Sequence, residues 1–415
     1  MLRASHPSLF LFPLSLVCAV ACGGDEAAAG GSSDGGVHGG GTDGGAKSDG
    51  GGGGPADGGM TTDANVPKGP LVAYVSGYGP NIGWYAADES SAGVLSSTGS
   101  IKSIGSSPSF LAWNPAHSNL YAVEEAAAGR VAAYAIDPKT GALTYLNDVS
   151  SKGNGPAHVS VDATGKWVFV ANYGDGTVAV LPTNAGGSLG DAVDTKAPGA
   201  NAHMIIADPS NRFVFVPCKG KDYVAQYLFD AAKGTLTPNA TPTVATAAGA
   251  GPRHLAFHPN GKWAYLITEN ASTVTTLSLD TTTGRLSAVD TISTLPAAFS
   301  GSSTGAEISV HPTGNWVYAS NRGHGSIAEY KVDPTSGKLA MLGQILLTEG
   351  KTPRHFSLTP EGRWLYLALQ DTGIVGIVSV ELGAGGSGLL ASTGRPSLMN
   401  VQAPSFVGLL RLPAP

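Results

Sequence analysis

A short block recurs along the chain: Ala157-His158-Val159-Ser160-Val161-Asp162, Ala202-His203-Met204-Ile205-Ile206-Ala207-Asp208, Arg253-His254-Leu255-Ala256-Phe257-His258 and Arg354-His355-Phe356-Ser357-Leu358-Thr359. Each is an apolar run followed by a turn such as Pro259-Asn260-Gly261-Lys262. A second run then starts at Trp167, Phe213, Trp263, Trp316 or Trp364, with Leu71 and Leu120 read into the same slot upstream. These seven anchors are separated by 49, 47, 46, 50, 53 and 48 residues. A third run follows, as in Thr273 to Leu279, then an Asp-to-Gly turn (Asp280 to Gly284, Asp137 to Gly141, Asp333 to Gly337) and a fourth run from Leu286. Such turns are hairpin loops with Gly in the left-handed position.

Four short antiparallel strands every ~40–50 residues is the pattern of propeller blades. The chain is therefore expected to be all-β, a seven-bladed β-propeller over residues 70–415. Its first unit starts directly at a second strand, Leu71 to Val75, and lacks an innermost one. The C-terminus holds a spare copy, Pro404-Ser405-Phe406-Val407-Gly408-Leu409-Leu410, which matches Pro108-Ser109-Phe110-Leu111-Ala112-Trp113. One blade is expected to join both ends of the chain and so remove free sheet edges.

Only 13% of the 415 residues are charged, against ~25% in typical globular proteins. The net charge of −6 excludes the basic footprint that nucleic-acid binding needs, and no polybasic segment marks an electrostatic membrane anchor. Arg3 and the apolar stretch Leu9 to Val20 read as a secretory signal, too short to span a bilayer. Ala19-Val20-Ala21-Cys22 resembles a lipobox, although Ala19 stands where Leu is usual; plain secretory cleavage is the alternative. Residues 1–21 are thus expected to be a lipoprotein signal peptide and Cys22 the lipidation site. Residues 22–69, nearly devoid of large apolar side chains, are expected to be a flexible tether. The protein would be an exported bacterial lipoprotein, periplasm-facing or on the outer cell surface, monomeric, and touching membrane only through its lipid. Of the three cysteines only Cys218 lies in the folded part; its neighbours Lys219 and Lys221 would favour a thiolate, but an ordinary buried thiol is the plainer reading.

Aligning the units places Phe110, His158, His203, His254, Glu307, His355 and Phe406 at the starts of the innermost strands, a ring around one mouth of the channel. Six residues past each anchor stand Gly77, Ala126, Tyr173, Lys219, Glu269, Arg322 and Gln370, which the antiparallel return brings to the same mouth. His203 with Lys219, Arg253 and His254 with Glu269, and Glu307 with Arg322 concentrate the polar groups in successive blades. Arg binds carboxylate or phosphate in a bidentate manner, and His or Glu transfers protons. The same residues also fit plain ion pairs between neighbouring blades.

The run Gly251-Pro252-Arg253-His254-Leu255-Ala256-Phe257-His258-Pro259-Asn260-Gly261-Lys262-Trp263-Ala264-Tyr265, with Glu269 after it, resembles the central motif of the lactonase family. That family includes 6-phosphogluconolactonases and fungal cis,cis-muconate lactonizing enzymes. Ala202-His203-Met204, Ser320-Asn321-Arg322-Gly323-His324 and Thr352-Pro353-Arg354-His355 extend the resemblance over residues 71 to 412. It implies lactone hydrolysis without metal or cofactor, with His203, Arg253, Glu269 and Arg322 as catalytic residues. His158, Lys219, His254, Glu307 and His355 are expected to contact a small anionic lactone. Cys218 departs from the Asp that many relatives carry after the Pro of Val216-Pro217. Arginines beside Glu269 would make it a weak base, which favours His203 as base and leaves Glu269 to orient Arg. Two further tensions stand. 6-Phosphogluconolactone is cytoplasmic whereas this chain carries an export segment, and a non-catalytic surface propeller binding a glycan, peptide or protein would use the same rim. A closed small-molecule pocket would favour the enzyme, a broad flat face the binding module.

Overall fold

The computed structural model describes residues 69–382, 386–393 and 397–414. The signal segment, Cys22 and all but the last residue of the tether lie outside the described residues. Among those described, the strands form seven four-stranded antiparallel sheets, and helix is limited to three short 3₁₀ turns. The strand pattern expected from the repeats is present: in the fifth blade Pro252–Phe257, Trp263–Thr268, Thr273–Asp280 and Arg285–Ser293 pair in succession. The turn after Thr273–Asp280 shows why its sequence recurs. The Asp280 carboxylate accepts the N–H groups of Thr282 and Thr283, at 2.8 and 3.2 Å, and Gly284 adopts φ +73°. A Cβ on Gly284 would also meet the Phe213 ring of the preceding blade at 2.1 Å.

The ring closes as expected. Pro404–Arg411 pairs with Leu71–Gly77, from Leu71 opposite Arg411 to Gly77 opposite Pro404. Buried tyrosines tie five of the seven blades to the next: the hydroxyls of Tyr74, Tyr121, Tyr265 and Tyr318 donate to the carbonyls of Gly141, Gly187, Gly337 and Gly388. Tyr366 of the last blade donates to Gly93 of the first at 2.6 Å, so a side chain joins the two ends as well.

These tyrosines also set the register between blades and correct two anchors. In three blades the Tyr stands two residues after Trp263, Trp316 or Trp364. By the same count the equivalents upstream are Val72 and Asn119, not Leu71 and Leu120. The pairings agree, with Tyr265 opposite Ala256, Tyr121 opposite Ala112 and Tyr74 opposite Gly408. The physical reason is that Leu71–Gly77 and Asn119–Glu124 are buried along their whole length. A strand buried on both faces has no alternation from which to read its phase.

The innermost strands begin with an extra residue. Pro252 faces Thr268 while His254 faces Ile267, leaving Arg253 as the additional one. The same irregularity recurs at Pro156/His158, Pro353/His355 and Gly305/Ile308, and opposite Ser76/Gly77. Such bulges re-aim side chains beside functional sites. In the fourth blade Ala202 bridges to Cys218 and Ile206 faces Phe215. His203 is thus the equivalent of Arg253, and Met204, not His203, the equivalent of His254.

Candidate active site

With the register corrected, two tiers of side chains occupy the mouth. The lower tier is the innermost-strand column, which packs into a plug. Phe110 lies against His158 (4.4 Å between ring centroids), Phe406 (4.9 Å), His355 (5.3 Å) and His254 (5.8 Å), and His254 against His158 (5.6 Å) and His203 (5.1 Å). Glu307 ties this tier together. Its carboxylate accepts from Nδ1 of His254 at 3.0 and 3.1 Å and from its neighbour's N–H, Ile308, at 3.0 Å, and lies 3.3 Å from Nε2 of His355. The Val407 N–H donates to Nδ1 of His355, so that imidazole is neutral with its proton on Nε2. Burial holds the pKa values of His158 and His254 well below the usual histidine value and that of His355 at about 4. Burial pushes Glu307 up, while His355 pulls against it. His158, His254, Glu307 and His355 therefore form a floor. Of these only His254 and His355 line the open recess above.

The upper tier centres on Glu269. Its Oε1 lies 2.8 Å from Nζ of Lys219 and 3.1 Å from an Nη of Arg322. Its Oε2 lies 3.2 Å from Nε of Arg253 and 4.0 Å from Nε2 of His203. Burial alone would raise the Glu269 pKa; Arg253, Arg322 and Lys219 override it and hold the carboxyl at about 2. Both arginines are braced by backbone at the start of the sixth blade, Arg253 on the Ala306 carbonyl and Arg322 on that of Gly305. Arg253, almost wholly buried, has its pKa lowered to about 10 by burial and by the charges of Arg354 and Arg322. Burial, then Arg253 and His254, hold His203 well below the usual value, so its imidazole is neutral at pH 7. Several buried nitrogens here lack a hydrogen-bond partner: Nδ1 of His203, Nε2 of His254, and Nε of both Arg253 and Arg322. Arg253 Nε is close to Glu269 but off the line that a hydrogen bond requires. Tyr173 flanks the cluster, with its ring 5.4 Å from that of His203 and its hydroxyl 3.4 Å from Lys219.

His203, Arg253, Glu269, Arg322 and Lys219 thus meet around one carboxylate. Three further groups at the mouth escape the sequence reading: Arg354, Tyr78 and Glu125. An Nη of Arg354 donates to the Tyr78 hydroxyl at 2.7 Å, which donates to Glu125 at 3.1 Å. Tyr78 and Glu125 stand six residues past the corrected anchors Val72 and Asn119, where Gly77 and Ala126 were expected. The corrected column is polar throughout: Tyr78, Glu125, Tyr173, Lys219, Glu269, Arg322 and Gln370. Arg354 was legible too, since it follows Pro353 as Arg253 follows Pro252. Cys218 is buried and its thiol is pushed up to about 12, so the adjacent lysines do not activate it.

At the mouth lies a recess with space for about one water molecule, about 10 Å³, lined by His203, Arg253, His254, Arg354, Tyr78 and Glu125, among others. It is concave and lined by polar groups, but far tighter than the ~300–1,000 Å³ of ligand pockets, so a substrate has to widen it on entry.

Comparison with known proteins agrees with this architecture. The family model described as lactonase, 7-bladed beta-propeller, matches residues 72–407. A 6-phosphogluconolactonase of Bacillus subtilis is 35% identical over 297 residues, 69% of this chain and 84% of the relative. One from Pectobacterium carotovorum subsp. carotovorum is 33% identical over 256 residues, 62% of this chain and 76% of the relative. Among solved structures, a periplasmic gluconolactonase of Pseudomonas aeruginosa superposes with a TM-score of 0.75 at 27% identity, covering 83% of this chain and 100% of that one.

Proposed function

The chain belongs to the lactonase family of seven-bladed β-propellers, and from that premise we propose that it hydrolyses a sugar-derived lactone to the open hydroxy acid in the recess beside Glu269. The observation that carries the site assignment is the sharing of one carboxylate by Arg253, Arg322 and Lys219, with the neutral His203 at 4.0 Å. A carboxyl held at about 2 is a poor proton acceptor at neutral pH, whereas a neutral imidazole is a competent one. His203 takes the proton of the attacking water as its oxygen bonds to the lactone carbonyl carbon. The oxyanion that forms is met by Arg253 and Arg322, cations fixed in a low-dielectric site before the reaction begins. When the ring C–O bond breaks, the imidazolium returns its proton to the departing alkoxide. Glu269 aligns both arginines and Lys219 and steadies the imidazolium, while the plug of His158, His254, Glu307 and His355 keeps the floor dry.

The same reading extends to where the enzyme works. Residues 1–21 act as a signal peptide, Cys22 carries the lipid, and residues 22–69 tether the monomeric propeller at the periplasmic or outer cell face. A solved relative described as a periplasmic gluconolactonase supports an exported lactone as substrate. The gathering of charged groups in a narrow cleft rather than on a flat face favours a small molecule, which has to widen the cleft, over a glycan chain or protein partner. The test is to follow acid release by the purified protein across sugar-derived and aliphatic lactones with five- and six-membered rings. Turnover above the spontaneous rate supports the reading, and none across the panel transfers the rim to a binding role.

A further inference from the structure

Arg354 occupies in the seventh blade the extra position that Arg253 occupies in the fifth. Pro353 faces Leu369 and His355 faces Ala368, with Arg354 between them. Both guanidinium groups line the same recess, but they differ in what neutralises them. Arg253 has Glu269 at 3.2 Å. Arg354 makes no ion pair among the described residues. Its only side-chain hydrogen bond there runs to the Tyr78 hydroxyl, which in turn donates a hydrogen bond to Glu125. The carboxylate charge therefore reaches Arg354 only through a neutral phenol. Burial, and Glu125 against the pull of Arg354, push that phenol up to about 12.

This relay orients the guanidinium, which also sits 5.3 Å from the centroid of the Tyr78 ring, and engages only one of its five N–H donors. The remaining donors form a planar fork suited to a carboxylate or phosphate. Arg253 and Arg322 offer a second anion less, because it would have to approach Glu269. We propose that Arg354, positioned by Tyr78 and Glu125, is a subsite for an anionic group carried by the lactone away from its scissile ester, leaving Arg253 and Arg322 to polarise the carbonyl. This rests on the lactone-hydrolase reading and narrows it: the preferred substrate bears a remote phosphate or carboxylate.

The experiment compares kcat and KM of the purified protein for gluconolactone, for its 6-phosphate and for a glucarolactone bearing a terminal carboxylate. Wild type is set against Arg354→Gln, Arg354→Lys and Tyr78→Phe, each checked for an unchanged melting temperature. Loss of a charge-assisted hydrogen-bonding group predicts that Arg354→Gln lowers the preference for charged over neutral lactone by roughly 10- to 100-fold, through KM rather than kcat. Arg354→Lys restores part of that preference, and Tyr78→Phe falls between the two. The charged lactone that loses most names the group bound. An equal loss for charged and neutral lactones, or an unaltered preference, overturns the subsite. If wild type opens no lactone, the hydrolase reading is what fails, and calorimetry with the ring-opened acids decides the subsite separately. Binding of gluconate 6-phosphate or glucarate that Arg354→Gln abolishes upholds it, and equal binding by both proteins overturns it.

Discussion

Nε2 of His203 stands 4.0 Å from Oε2 of Glu269, too far for a direct hydrogen bond and near enough for the carboxylate to favour a developing imidazolium. The pair divides two jobs between them: the group that stays ionised aligns the cations, and the one that stays neutral accepts the proton.

That division predicts the pH profile. Glu269, at about 2, is ionised throughout the working range. His203 is lowered well below the usual value by burial and by its cationic neighbours. Initial rates on a lactone should therefore give a flat kcat/KM from pH 8 down through 6.5, with the acid limb appearing only well below that. A limb centred at 6.5 or above would contradict the environment assigned to His203.

The buried histidines should contribute an acid-sensitive part of the stability for a related reason. His158, His203, His254 and His355 all have folded-state pKa values lowered from the usual 6.5. As pH drops below 6.5 these groups in the unfolded chain take up protons that the folded chain refuses, so their contribution to stability is lost from there towards the folded values, about 4 for His355. Glu269 acts in the same sense only lower down, between the usual carboxylate value and about 2. Glu124 and Glu329, both raised to about 7 by burial, and Glu307, also raised, oppose the histidines over the same range, because the folded chain keeps protons that the unfolded chain releases. His158→Phe, which places there the residue that Phe110 and Phe406 already supply at equivalent positions, should lower the slope of melting temperature against pH over this range. Equal slopes for wild type and His158→Phe would contradict the neutral plug.

Removing residues 404–415 strips the innermost strand from the first blade. Phe406, Val407, Leu409, Leu410 and Leu412 are all buried, and each such side chain contributes roughly 1.5–3 kcal/mol. That loss rivals a total stability of about 5–15 kcal/mol. The truncated chain should aggregate or fail to fold, and a monomeric product with a cooperative melt would contradict the closure.

Cys22→Ser should release the protein from membranes into the soluble fraction after cell fractionation. Continued membrane association of that variant would remove the lipid-anchor reading.

The seven blades, the shared first blade and the group His203, Arg253, Glu269 and Arg322 were legible because repeats of turn and aromatic residues mark them in plain order. Three things were not. Leu71 and Leu120 lie in strands buried on both faces, so apolar pattern could not set their phase; the Tyr74 and Tyr121 contacts to glycine carbonyls and the strand pairings reveal it. That one-residue error hid Tyr78 and Glu125. The second was the bulge. An extra residue at the strand start adds no marker to the sequence, so His203 was aligned with His254 although it shares the position of Arg253. Nor could strand order alone show that the aromatic and imidazole rings of one column would close on each other as a plug.

The most direct test of the catalytic account is kcat/KM for wild type, Glu269→Gln and His203→Ala on a lactone that the wild type opens. Glu269→Gln keeps the shape of the side chain while removing the charge that Arg253, Arg322 and Lys219 share. Losing a proton acceptor or a preorganised electrostatic element costs roughly 10²–10³-fold in rate. Both variants should fall by that order while melting close to wild type. Full rate in both would show that the chemistry lies elsewhere on the propeller.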